Sequence, residues 1–446
     1  MSKYCLSALA AAGLLAGGLT VSSASAADLG GNCCADLEER IAELEATTAR
    51  KGNRRVSLTI SGWVGEQVMW WDDGAEDNVY VTGLGSTLAT NVKFTGQATI
   101  SPGWSAGYVI HVEADGNTPR DTPSGLLSDQ DTAHTNLGVV ALQTFWFLKS
   151  EQLGKLSVGR QSQASDNTAI LVDGSGSLLP ANWVTFTGDF FFLRNSATGL
   201  YTTFRWSDLM YCSQVGTGVG GDCNGVPLNS VRYDSPTFAG FSVSASWGED
   251  DFWDVAARYA GEFAGFKLAI AAAYSHSNDA LLIGLPTSFG AADNDYFQVG
   301  AYLQHVPTGL FLYGAYGTED NSQLNPSAFD ADGNPTAGVT PLDGNVWYVK
   351  GGIRQRWTPL GHTVLYGLYG ENDDKLSGPL QAFGAPDFTS SEMKMWGLGV
   401  VQEIDGAAMS FWVHYQQYFD GEVSGPGGTL QFEDLDTVKA GALINF

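Results

Sequence analysis

Hydrophobic and polar residues alternate along this chain with a period of two, most cleanly between Asn229 and Trp247 (NSVRYDSPTFAGFSVSASW). Phe241, Val243, Ala245 and Trp247 fall on one side and Ser242, Ser244 and Ser246 on the other, as expected of a strand with two unlike faces. Val231 and Tyr233 alternate in the same way with Ser230, Arg232 and Asp234, and a Pro236-Thr237-Phe238-Ala239-Gly240 corner joins the two runs. The pattern predicts a β-hairpin, apolar on one face and polar on the other.

The plan recurs at 252–274 with corner GEFAG, at 295–316 with HVPTG, at 346–369 with WTPLG and at 393–418 with EIDG. Each corner ends in glycine, which takes a positive φ without a Cβ clash. Short corners alternate with long polar connections, an asymmetry that belongs to a β-barrel crossing a bilayer and not to a soluble sandwich. Strands are expected near 55–71, 90–101, 104–114, 137–150, 154–161, 229–236, 240–248, 252–262, 265–276, 294–306, 309–317, 345–357, 362–371, 392–403, 407–418 and 435–446. These sixteen strands predict an all-β fold, a transmembrane antiparallel barrel over residues 55–446 with its short corners in the periplasm. The longest connection, 162–228, carries Asp166, Asp173, Asp189 and the block Phe190-Phe191-Phe192-Leu193. Its aromatic content predicts that it folds into the barrel and narrows the lumen.

Residues 1–26 have a basic start, an apolar core and an Ala24-Ser25-Ala26 end, the pattern of a secretory signal peptide, with the mature chain beginning at Ala27. Residues 27–54 are expected to be a periplasmic segment. Within them ADLEERIAELEATTAR has Leu37, Ile41, Leu44 and Thr48 on one helical seam. Two readings stand: a short coiled coil held by copies of itself in an oligomer, or an exposed linker helix.

Composition adds three constraints. No stretch reaches the 18 apolar residues of a membrane helix, which leaves a barrel untouched because lumen residues interrupt every lipid-facing run. Aromatics make up 12% of the chain, and Trp70, Trp71, Trp104, Trp247, Trp253, Trp347 and Trp357 lie near strand ends, where interfacial girdles are expected. The formal net charge of −26 gathers in 72–77, 248–251, 318–320 and 371–374. No basic stripe exists, so nucleic acid is excluded as a partner. The acidic connections read either as solvated surface or as a cation-friendly mouth holding divalent ions.

Cys212 and Cys223 enclose a glycine-rich loop, and a local disulfide is the economical assignment. Cys33 and Cys34 are adjacent and poorly placed to pair with each other, so bonds between subunits are expected. Catalytic and cofactor motifs do not assemble. Gly216, Gly218 and Gly221 match GxGxxG with no βα unit to follow. Asp330, Asp332 and Asn334 resemble the start of a calcium loop, but Pro341 occupies the position of its bidentate Glu. The six histidines form no metal spacing, and no GxSxG elbow is present. The chain therefore does not read as an enzyme, and no cofactor is expected.

The last strand, LDTVKAGALINF, ends on Phe446. With the signal, the KLSVGRQ strand, the VRYDSPTFAGF hairpin and this terminus, the chain resembles the general porins of alphaproteobacteria over residues 55–446. The resemblance implies a homotrimer of sixteen-stranded barrels in the outer membrane, in contact with lipid and lipopolysaccharide, assembled through the terminal Phe446 and passing small hydrophilic solutes and ions passively. It also implies a third loop folded inward opposite basic wall residues. Carried onto this sequence, the wall is Arg160 and Arg232 and the loop acids are Asp166, Asp173 and Asp189. By alternation, Lys93, Arg354 and Arg356 also fall on lumen faces. Arg160 shares its face with Leu156 and Val158, so it needs a bulge to point inward. The Ala27-Asp28 start resembles barrel proteins whose amino terminus is joined to peptidoglycan, and implies an envelope-tethering role beside or in place of transport.

Overall fold

The structure, a computed structural model, describes residues 56–446 apart from 86–87, 116–137, 185–187, 189–190, 211, 213–222, 224, 249–250, 278–293, 322–341, 376–387 and 426. The expected amino-terminal helix, Ala27, Cys33 and Cys34 lie outside the described residues. Twenty strands follow in order: β1 Ser57–Asp72, β2 Asp77–Gly83, β3 Asn91–Ser101, β4 Trp104–Asp115, β5 Gly138–Ser150, β6 Gly154–Gln161, β7 Phe192–Arg194, β8 Tyr201–Arg205, β9 Leu228–Asp234 and β10 Phe241–Gly248. The second half comprises β11 Trp253–Phe263, β12 Phe266–Ser277, β13 Asn294–His305, β14 Leu310–Asn321, β15 Asn345–Thr358, β16 Gly361–Asp373, β17 Ser390–Ile404, β18 Met409–Gly425, β19 Gly428–Gln431 and β20 Leu435–Asn445.

Sixteen of these form a closed antiparallel wall, in agreement with the alternation. The other four are additions: β2 extends a hairpin from β1, β19 one from β18, and β7 pairs with β8 inside the long connection. Closure is made by β1, which pairs with β20 from Trp63–Asn445 to Asp72–Asp436 and with β3 from Ser57–Gln97 to Trp63–Asn91. Phe446 exchanges two backbone hydrogen bonds with Gly62, of 3.0 and 3.1 Å. Among the described residues the wall has no unpaired edge strand, which is the condition for backbone to cross hydrocarbon.

Seven short reversals, after β3, β5, β9, β11, β13, β15 and β17, share one rim, and the long connections share the other. At two corners alanine and glycine both take left-handed φ: Ala239 49° with Gly240 88°, and Ala264 48° with Gly265 81°. That pair of angles is the primed turn whose twist matches the flanking strands. The EIDG corner differs from expectation: Ala408, with φ 47°, makes the turn, and Gly406 does not. Gly361 of WTPLG is required for a different reason, since a Cβ there would meet the Glu403 carbonyl oxygen at 2.3 Å.

Faces follow the pleat. On β10, Phe241, Val243 and Trp247 are 60%, 55% and 59% exposed, while Ser244 and Ser246 are buried toward the lumen. On β1, Ile60, Val64 and Val68 face out and Trp63, Gln67, Met69 and Trp71 face in. Trp71 therefore departs from the expected aromatic girdle. It lies on the odd-numbered inward face of β1 and packs in the lumen against Tyr80 and Phe191, with ring centroids 5.6 and 5.1 Å away.

Candidate functional site

Between β6 and β9 the chain turns into the barrel and runs around the inner wall. A succession of inward side chains holds its first part by the backbone. Arg232 on β9 donates through Nη1 to the Ser162 and Gln163 carbonyls at 3.0 and 2.8 Å. Ser246 Oγ on β10 accepts from the Ala164 N–H at 3.1 Å. Asp254 Oδ2 on β11 accepts from both the N–H and the hydroxyl of Ser165, each at 2.6 Å. Arg258 donates to the Ala164 carbonyl at 2.6 Å and to Thr168 Oγ1 at 2.8 Å.

Farther round, Gln298 on β13 accepts from the Ala169 N–H at 3.0 Å and donates to the Ser165 carbonyl at 3.1 Å. The Tyr313 hydroxyl on β14 donates to the Ala169 carbonyl at 2.8 Å. Lys350 on β15 then meets Asp173 at 2.5 Å, both side chains wholly shielded from solvent, and donates also to the Ala181 carbonyl at 2.9 Å. A buried polar group without a partner costs more than a typical hydrogen bond returns. Each wall residue here meets a loop group that would otherwise be stranded, and the path of the loop is fixed strand by strand.

The second part of the connection is held by packing. Trp183, Phe191, Leu193, Trp206, Leu209 and Met210 share one apolar cluster with Trp71, Tyr80, Met393, Met395 and Tyr418 of the wall. The β7–β8 hairpin ends at the long-connection rim, where Arg194 bonds Asp73 through Nε and Nη2 at 3.1 and 2.8 Å. The Arg194 carbonyl accepts from Glu433 N–H, and Ser196 N–H donates to Gln431 O, so the hairpin bridges the β1–β2 and β18–β19 hairpins. Cys212 and Cys223 form the expected disulfide, and Lys375 sits beside it, 3.3 Å from Cys212 Sγ and paired with Glu319 at 2.7 Å.

The Asp73 carboxyl lies beyond the end of β1 and is held below its usual 3.8. Burial alone would raise it, but the Arg194 guanidinium and the Glu76 and Ala75 N–H groups outweigh burial. A depressed carboxyl contributes stability above pH 3.8 and loses it as pH falls through its folded value. The hairpin is therefore expected to loosen only below pH 3.8, and Arg194→Ala should loosen it at neutral pH. Hydrogen exchange of residues 192–205 against pH checks this; protection unchanged down to pH 2 would contradict it.

The sequence-derived candidates divide. Lys93, Arg232 and Arg354 stand on lumen faces. Arg354 grips Glu403 through Nε and Nη2 at 2.8–3.2 Å and lies against Gly176 of the loop. Asp173 is the partner of Lys350, and Asp166 is buried, accepting from Asn167 Nδ2 at 2.7 Å. Asp189 lies outside the described residues.

Two placements correct the expectation. Register through β5–β6 and β6–β9 is unbroken, so no bulge turns Arg160 inward; it stays with Leu156 and Val158 on the outer face, its Nε on the Leu142 carbonyl at 3.4 Å. Arg356 lies past the register shift at Gln355, half-exposed at the short-turn rim and paired with Asp405. Arg258, Asp254, Gln298, Tyr313 and Lys350 were missed. Their signal was available in part, since Asp254 and Arg258 share the inward face of β11 and Lys350 interrupts an apolar and aromatic strand.

A continuous antiparallel wall with no free edge, apolar outside and enclosing an inward-folded loop, defines an outer-membrane channel of the porin class. The chain matches the family described as Gram-negative porin over residues 8–430 and belongs to it. No curated protein matches it by sequence. Among solved structures it is similar to an anion-selective porin from Comamonas acidovorans, with 16% identity, TM-score 0.52, and 88% of this chain and all of that one covered. It is also similar to the outer-membrane channel DcaP of Acinetobacter baumannii, at 11% identity and TM-score 0.50 over 90% of this chain and 100% of that one. Salmonella typhi OmpF, solved in complex with daunomycin, gives 15% identity and TM-score 0.50 over 88% and 98%. The chain is thus an outer-membrane diffusion channel, and its family and fold are those of a channel rather than of an enzyme.

Proposed function

We propose that small hydrophilic solutes and ions pass without energy input through a water-filled bore bounded on one side by the loop 162–228. The observation that carries this is the ring of contacts from β9 to β15, which spreads the loop along the wall. Among the described residues, β3 makes no hydrogen bond to the loop, and Lys93 and Gln97 are polar groups on its inward face. Lys93, Arg232, Arg354, Asp166 and Asp173 are the candidates for the constriction. Liposomes carrying the purified protein should swell in small sugars and fail to swell above a sharp size limit; no swelling with any sugar would overturn the reading.

A homotrimer is supported by the outer wall. A recess of about 600 Å³ spans β17, β18, β20 and β1, and it is lined by Val68, Val400, Phe411, Val413 and Ala440 together with Glu66 and Gln402. A carboxylate is disfavoured against hydrocarbon, so a neighbouring subunit suits this face better than lipid. The finer family placement, among alphaproteobacterial general porins, rests on KLSVGRQ, VRYDSPTFAGF and INF. The signal peptide 1–26, the periplasmic segment 27–54, bonds between subunits through Cys33 and Cys34, lipopolysaccharide contact and assembly through Phe446 belong to the same proposal. Divalent ions at the acidic rim are supported by Glu371, Asp373 and Glu392, whose oxygens lie within 4.8 Å of one another. Tethering to peptidoglycan at Ala27 would yield a linked muropeptide on sacculus digestion.

A further inference from the structure

The charges around the bore are disposed unevenly. On the wall, Arg232 and Lys155 share Asp234, at 2.8 and 3.1 Å. Arg354 is taken up by Glu403 and Lys350 by Asp173. Among the described residues of the loop, Asp173 is wholly buried on Lys350, and Asp166 is 4% exposed. The negative charge of these two acids is therefore kept from the water path.

Lys93 differs from these cations. Its side chain faces the lumen from β3 and, among the described residues, makes no ion pair with any carboxylate. Its register partner on β4, His111, is 4% exposed, and among the described residues neither ring nitrogen has a hydrogen-bond partner. The groups facing this pair are accounted for element by element. Gln143, opposite His111 on β5, donates its amide to Ser162 Oγ at 3.3 Å. Glu113, farther along β4, accepts from the Ala89 N–H at 2.8 Å, and Asn91 on β3 donates to the Ala89 carbonyl at 2.9 Å. The carboxylate of this stretch is thus engaged by the inward detour between β2 and β3.

A shielded ammonium beside an imidazole with nothing to donate to is a pair of donors awaiting an acceptor. Resting on the channel reading above, we propose that the bore favours small inorganic anions over cations, with Lys93 and His111 as the station at which they dwell. The net charge of −26 does not oppose this, because many of the acids stand in the connections at the rim. Exposed charges more than about 10 Å away are largely screened at 0.1 M salt. Charge at the narrow part of the bore decides selectivity.

The test is the reversal potential of the full-length protein in planar bilayers under a potassium chloride gradient. The native channel should reverse toward the chloride equilibrium potential. Lys93→Glu should lower the chloride-to-potassium permeability ratio by about fivefold, by Coulomb's law at short range in a watery medium. Lys93→Gln and His111→Leu should each lower it less, and Lys394→Gln, on the outer side of the wall, should leave it unchanged. An open native channel that prefers potassium overturns the assignment while sparing the channel reading, and it requires no variant to fold. A chloride preference unmoved by both Lys93 substitutions also overturns it. A bilayer that stays closed overturns the channel reading and this inference with it.

Discussion

Lys350→Ala is expected to free the first part of the long connection from the wall and to raise both single-channel conductance and open-channel noise. The substitution leaves Asp173 buried and charged with the Ser175 N–H but no counter-charge, and removes a donor from the Ala181 carbonyl. Breaking one side of a buried ion pair costs about 3–5 kcal/mol. The wall itself should survive, since its ladder of backbone hydrogen bonds does not involve this side chain; the loss should fall on the loop. Heat stability of the β-signal should change little while proteolysis within 162–181 speeds up. Replacing both members with apolar residues of similar size should recover much of the loss, because the desolvation penalty disappears with the pair. A Lys350→Ala channel with native conductance and native protease resistance would mean that the pair does not hold the loop.

Gly300→Val should act at the same place by the opposite means. Gly300 faces the lumen from β13 where the loop backbone passes so near that a Cβ would lie 2.3 Å from the Ala169 carbonyl oxygen and 2.8 Å from its Cα. Real Cβ atoms do not tolerate such contact, so a branched side chain must push the loop away. Overpacking of this kind costs about 1–3 kcal/mol. The hydrogen bonds that Gln298 and Tyr313 make to Ala169 would be lost together. Hydrogen exchange at 164–171 should rise in Gly300→Val and conductance should follow the Lys350→Ala pattern. Unchanged exchange would show that the loop can shift to accept the added atoms.

The wall was legible because one physical rule governs all of it. A strand with water on one side and oil or a partner on the other must alternate, so Phe241, Val243 and Trp247 declared their face and Ser244 and Ser246 theirs. The inward course of the long connection was legible in kind, because Phe191 and its neighbours have no business on a solvated rim. Its exact anchorage was not. That Lys350 should meet Asp173 across 177 positions depends on how far the loop runs around a ring before it turns, and nothing local encodes the distance.

Arg160 illustrates how the two kinds of evidence compete. Resemblance placed it on the inner wall; the pleat, reading Leu156, Val158 and Arg160 on one face, placed it outside, and the unbroken register agrees with the pleat. Trp71 shows the reverse error. Position near a strand end suggested an interface, but parity along β1 puts it inside with Met69 and Gln67. In each case, counting residues from a known outward neighbour is the stronger guide, since a shift of one position moves a side chain through the wall.

The measurement that bears most directly on the whole account is the single-channel current of the native protein in a planar bilayer. A closed wall around an aqueous bore predicts discrete, ohmic steps whose size grows in proportion to salt concentration. A bilayer that stays sealed although the protein is shown to have inserted would contradict it.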